Sequence, residues 1–155
     1  MRKISVVAIS VVLSMFCTFA LAISHDDALK AYGAGDFEAA FKIWRPLAED
    51  GDARAQFRVG ELYIEGKGVA KNLAHARKWI EAAAQQGYTK AEHRMGEIYR
   101  FGIGVTANAD TSYDWYLRAV KKKYAPADLG ISELVLFHFA QTEETLQGAV
   151  PDNRD

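Results

Sequence analysis

The sequence predicts an all-α fold, an α-solenoid of stacked helix-turn-helix units, on three observations. The decapeptide at residues 60–69, GELYIEGKGV, returns 36 residues later at 96–105 as GEIYRFGIGV. The same offset pairs Ala40 with Ala76, Ala48 with Ala84, Gly51 with Gly87, Ala55 with Ala91, Arg58 with Arg94, Tyr63 with Tyr99 and Asn72 with Asn108, so the chain is an array. Within each unit, Ala55, Val59, Leu62 and Tyr63, and then Ala91, Met95, Ile98 and Tyr99, recur at helical spacing and mark one buried face apiece.

Taken in order, the chain opens with Arg2 and Lys3, an apolar run from Ile4 to Leu21, and small residues at Ala20 and Ala22. That pattern is a secretory signal peptide over residues 1–22, too short and without the following basic flank of a membrane helix. A lipid anchor at Cys17 is not expected, because the bulky Phe16 precedes it. A short helix is expected from Asp26 to Tyr32, ending at Gly33. The next runs near Asp36 to Glu49, with Pro46 inside it removing a hydrogen bond. Asp52 is the expected N-cap of the helix carrying Ala55 to Tyr63. Asn72 to Gln86 follows, and then Thr89 with Glu92 reads as a capping box for the helix carrying Ala91 to Tyr99. Asp110 to Lys122 is the last partner helix. Trp44, Trp79 and Trp115 are the expected large anchors of the three partner helices. Gly60 and Gly96 sit inside helices at a cost in propensity that close approach of a neighbouring helix would offset. Gly66, Gly68, Gly102 and Gly104 follow helix ends, where a left-handed residue stops a helix. A third, worn copy pairs Ala83 with Ala119 and Ala91 with Ala127, then places Ser132, Val135, His138 and Ala140 where glycine and tyrosine stood. The solenoid is expected over residues 23–140 and a polar tail over 141–155.

Composition limits the function. Removal of residues 1–22 takes the single cysteine and two of 19 basic groups, leaving 17 against 20 acidic ones, or −3. That excludes a disulfide, a thiolate nucleophile and the basic footprint of a nucleic-acid binder. No stable membrane insertion is expected after cleavage. The G-x-G of the repeat lacks the preceding strand and the Lys-Ser or Lys-Thr of a phosphate loop, so it is turn punctuation. HExxH, G-x-S-x-G and S-x-x-K are absent. His75 and His93, with Glu92 and Glu97 nearby, come nearest to an acid–base pair, but nothing converges on them. No catalytic residue and no cofactor are expected.

The combination Ala-x-x-x-Trp, Ala-x-x-Gly, then Ala-x-x-x-x-Gly-x-x-Tyr-x-x-Gly-x-Gly-Val resembles the Sel-1-like repeat, a relative of the tetratricopeptide repeat, from Ala40 to about Val135. The resemblance implies a module that binds a protein or peptide on a concave face. Secreted bacterial members serve in envelope assembly, host interaction or neutralisation of a delivered toxin such as a lipase effector. Cysteine-rich members described as β-lactamase-like carry a disulfide in each repeat, and this chain lacks those cysteines. The expectation is an exported, periplasmic adaptor, with an immunity protein as the alternative and a weak hydrolase a distant third.

Candidate binding residues come from the helical wheel. Opposite Ala55, Val59 and Leu62 lie Phe57, Glu61 and Ile64; the corresponding triplets are His93, Glu97 and Arg100, then Leu129, Glu133 and Leu136. Glu61, Glu97 and Glu133 form an acidic column suited to a basic, partly apolar peptide, or else a solvated face with Glu97 paired to Arg94 and Arg100. Leu129, Leu136 and Phe137 point away from the buried side of the terminal helix and are a candidate self-association surface, unless the tail from Thr142 covers them. Cleavage after Ala22 would expose Ile23-Ser24-His25, in which His25 can complete a square plane of four nitrogens around Cu(II) or Ni(II).

Overall fold

A computed structural model describes residues 24–134 of the chain, and among them there are helices and turns but no strand. The helices are α1 His25–Gly33, α2 Phe37–Glu49, α3 Ala53–Glu65, α4 Leu73–Gln85, α5 Thr89–Phe101 and α6 Ala109–Lys121. A further helical run, α7, covers residues 125–134. From α1 to α6 each helix packs on the next one in the chain. The expected solenoid of helical hairpins is present.

Short polar residues start four of these helices. Asp36, Asp52, Asn72 and Asn108 accept the backbone N–H three residues on, at 3.0, 2.7, 3.0 and 2.8 Å. Each satisfies one of the amides that a first turn leaves without a partner. α5 departs from the expected pattern. Its N-cap is Tyr88, with no side-chain cap, and Thr89 is already helical, so the Thr89–Glu92 capping box does not form. Glu92 instead turns inward to Lys122, whose Nζ donates to Oε1 at 2.8 Å. A capping signature is local, and here a tertiary ion pair outcompetes it.

The glycines behave as the repeat requires. A Cβ at Gly96 would stand 2.5 Å from the Tyr116 ring, and one at Gly60 would overlap Ile80, so both glycines admit an α4 or α6 side chain against the backbone of α3 or α5. Tyr116 is held from a second side by Gly130 of α7, where a Cβ would lie 2.7 Å from the ring. Gly68 and Gly104 have φ of 68° and 70° and lie against Phe37 and Leu73, so the loop after α3 rests on the start of α2 and the loop after α5 on the start of α4. An L side chain there would meet both backbone strain and a clash.

The three tryptophans are not equivalent. Trp44, Trp79 and Trp115 do not share one position: Trp44 is in register with Ile80 and Tyr116, and all three of those are fully buried. Trp79 and Trp115 stand one residue earlier, at the position of Ile43, and are half-buried, with Trp79 lining a groove between α2 and α4. One residue is about 100° of helix, enough to turn a core wedge into a groove wall. The core itself falls into three successive clusters, around Trp44 and Val59, around Ile80 and Met95, and around Tyr116 and Ala127.

Candidate partner-binding surface

α3, α5 and α7 present the expected carboxylates in one row, linked by arginines. The Nε of Arg94 donates to Glu61 at 2.9 Å and its Nη1 donates to Glu97 at 2.8 Å. Arg100 pairs with Glu133 across the next step. Exposure rises along the row, with the Glu61 side chain 23% accessible and that of Glu133 56%. One guanidinium serves two carboxylates at Glu61 and Glu97, and the consequences differ for the partners. Burial pushes the Glu61 carboxyl above its ordinary range; Arg94 offsets that only in part, while Glu65 and Glu97 add repulsion. For Arg94, burial acts to lower the value, but attraction to Glu61 and Glu97 outweighs it and the guanidinium is held more firmly charged. Three carboxylates share two arginines, so the row keeps a surplus of negative charge.

The apolar members of the expected site are partly used by the stack. Phe57 and Ile64 are half-buried against the second core cluster, and Phe57 meets Tyr88 edge-on at 5.5 Å. One repeat later His93 lies 5.4 Å from Tyr124 and 5.3 Å from Tyr116. These contacts are seams between repeats, and the faces left over are what a partner can reach. Arg94, Tyr88 and Tyr124 were not among the expected site residues. Arg58 in register with Arg94, and Tyr88 with Tyr124, were the signals that could have found them. His75, whose ring faces Tyr63 at 5.5 Å, is not brought together with His93.

His25 is committed to a hydrogen-bonded chain. The indole Nε1 of Trp44 donates to its Nδ1 at 3.1 Å, and its Nε2 lies 2.8 Å from Asp52 Oδ1. That fixes the neutral tautomer with the proton on Nε2. Chelation by a third-position histidine uses Nδ1, the atom that Trp44 holds, so a metal there would have to displace the indole. Among the described residues no three His, Cys, Asp or Glu side chains are gathered as a metal site. Burial acts to raise the Asp52 carboxyl, but the Ala55 amide and then His25 outweigh it, leaving the group below the usual carboxylate range. On α7, Leu129 is 69% exposed. Leu136 and Phe137 lie outside the described residues, as do the signal peptide and the tail from residue 141.

The comparisons with known proteins agree with the geometry. The family model described as Sel1 repeat matches residues 53–88 and 89–124, which span α3 with α4 and α5 with α6. A solved Sel1 repeat protein from Oxalobacter formigenes is 38% identical with a TM-score of 0.58, covering 61% of this chain and 38% of its own. A protective antigen of uropathogenic Escherichia coli strains, with an SLR fold, is 21% identical at a TM-score of 0.58, covering 84% of this chain and 33% of its own; at that identity it shows the fold alone. The part of this chain that aligns thus spans well under half the length of either solved chain. No functionally curated protein shows significant similarity to it.

Proposed function

We propose that this chain, a member of the Sel1-repeat family through the repeats at residues 53–124, is an exported, periplasmic adaptor that holds a basic segment of a protein partner on its concave face. Repeats of this family are protein-interaction modules, and their typical members are scaffolds without a catalytic centre. The observation that supports this choice of partner is the charge imbalance of the row: Glu61, Glu97 and Glu133 against Arg94 and Arg100. Glu133 has Arg100, but Glu61 and Glu97 share Arg94 alone, so a lysine or arginine brought to the row adds a third counter-charge to three carboxylates, and the half-buried Phe57, Ile64 and His93 offer apolar contact beside it. Self-association through Leu129 belongs to the same reading. Toxin neutralisation would use the same face and differ only in the partner.

The row is tested with a short lysine-rich peptide as probe. Glu133→Gln, at an exposed position, is expected to weaken binding and flatten its salt dependence, whereas Arg100→Gln, which enlarges the acidic surplus, is expected to strengthen it. Equal binding by both variants and the parent protein at every salt concentration would assign the row to internal pairing alone.

A further inference from the structure

The repeat places a second, differently charged groove on the other side of α3, between α2 and α4. It encloses about 440 Å³. Tyr63, His75 and Trp79 line it with aromatic rings, Ala82 lines it close to Trp79 in the chain, and the exposed Arg45 and Lys78 stand at its rim. Glu49 also lines the groove but is paired to Arg45, with Nε donating to its Oε1 at 2.9 Å. Lys78 is exposed and makes no ion pair among the described residues.

The following repeat carries different side chains at the equivalent positions. Thirty-six residues on, Trp79 becomes Trp115, Ala82 becomes Arg118, and the rim residues Arg45 and Lys78 become Glu81 and Asp114. There the chain covers the indole with its own cation, for the Arg118 guanidinium lies 4.5 Å from the Trp115 ring. The two positions have therefore changed together. Where the rim is acidic, an internal basic side chain lies on the tryptophan; where the rim is basic, the covering side chain is reduced to a methyl group and the tryptophan face is left open.

We propose that the Trp79 groove binds a segment of a partner protein in which an aromatic or large aliphatic residue, laid on Trp79, is flanked by a carboxylate that pairs with Lys78. Charge complementarity selects this occupant over a basic one, since Lys78 is an unpaired cation at the rim and Glu49 is already neutralised by Arg45. The groove is distinct from the acidic row, so the adaptor has two faces of opposite preference and can join two different segments.

The experiment follows the Trp79 indole N–H by NMR, assigned with Trp79→Phe, while three capped pentapeptides are added: Gly-Glu-Phe-Glu-Gly, its Gln counterpart and its Lys counterpart. The Glu peptide is expected to shift the Trp79 signal and to bind at least about tenfold more tightly than the Lys peptide, with the Gln peptide between them. Ala82→Arg, which copies the next repeat, should abolish the shift although it adds a positive charge. Thermal unfolding reports whether that variant keeps its fold, and Lys78→Glu, at an exposed site, should reverse the peptide order independently. Glu133→Gln should leave all of this unchanged, which separates failure of the groove from failure of the acidic row. An unmoved Trp79 signal, equal affinity for the three peptides, or undiminished binding by a folded Ala82→Arg protein overturns the proposal.

Discussion

Tyr116 occupies space that a side chain at Gly96 would need, and this contact dictates what the position tolerates. Gly96→Ala puts a methyl 2.5 Å from the ring, too close without a shift of the helix pair, and should cost roughly 1–3 kcal/mol by urea unfolding despite the better helix propensity of alanine. A stability equal to or above that of the parent would show that the helices are free to part. A second residue-scale device is the polar pair that ties a buried side chain at the start of each repeat's first helix to an exposed one at the end of its second. Gln86 donates to Gln56 at 2.7 Å, and in the next repeat the same two positions are Lys122 and Glu92, at 2.8 Å. The neutral pair has become an ion pair at the same place. Glu92 is only 4% exposed, and its second oxygen has no partner, while Gln56 uses its amide to reach the Ala48 carbonyl at 3.1 Å. Lys122→Ala should therefore destabilise by roughly 1–3 kcal/mol, because it strands a buried carboxylate. Adding Glu92→Gln to Lys122→Gln should recover most of that loss by restoring the arrangement of the preceding repeat. If the double variant is as unstable as Lys122→Ala, the two pairs are not equivalent. The substitution of both partners was visible in the sequence, but nothing there showed that these positions touch.

At the scale of elements, Asp52 joins two helices. It caps α3 through the Ala55 amide and holds α1 through His25, which in turn receives the Trp44 indole from α2. Asp52→Ala is expected to remove about 1 kcal/mol of capping and, in addition, to raise amide exchange across α1 more than across α5. The pH dependence has a defined sign. The Asp52 carboxyl lies below its ordinary value in the folded protein, so its contribution is complete above the unfolded value of about 3.9 and is lost as pH falls through the folded value. Glu61 works in the opposite direction, since burial raises it: protonation of Glu61 is easier in the folded protein, and acid offsets part of the loss. Asp52→Asn should accordingly flatten the acid limb of stability, and an unchanged limb would place the responsible carboxylates elsewhere. The cap at Asp52 was legible because capping is local, within three residues. The absent box at Thr89 was not, because its outcome depended on Lys122, 30 residues beyond Glu92.

For the whole molecule, stability is a chain of neighbour contacts. The three core clusters follow one another in sequence, and the contacts Phe57–Tyr88, between α3 and the start of α5, and His93–Tyr124, between α5 and the residue before α7, join successive repeats. Trp44→Ala, in the first cluster, should cost roughly 3–5 kcal/mol, and unfolding seen by helical circular dichroism and by the fluorescence of Trp79 and Trp115 should still coincide if the seams hold the array together. Separated transitions would mean that the repeats melt singly. Export is checked on the same scale. Protein recovered from the periplasm should begin at Ile23, and deletion of residues 2–22 should retain it in the cytoplasm; an intact amino terminus in the recovered protein would refute cleavage at this site.

The sequence by itself determined the repeat, its length and its helices, because 36-residue periodicity, helical spacing and caps are properties of neighbouring residues or of one copy set against another. It also determined that Gly60 and Gly96 admit a neighbour, since a glycine inside a helix calls for such a compensation. Tertiary structure decided everything that depends on angle and distance between helices. A shift of one residue separates the buried Trp44 from the groove-lining Trp79, and a composition of tryptophans cannot reveal which way each one faces. The acidic column was readable as three glutamates in register, whereas its pairing with Arg94 and Arg100 across repeats depends on how closely α3, α5 and α7 approach one another. His25 was read as the third residue of a mature terminus, and only folding brought it between Trp44 and Asp52. Local rules fix the elements because their energies are spent within a few residues, while side-chain partners are set by the packing of helices far apart in the chain.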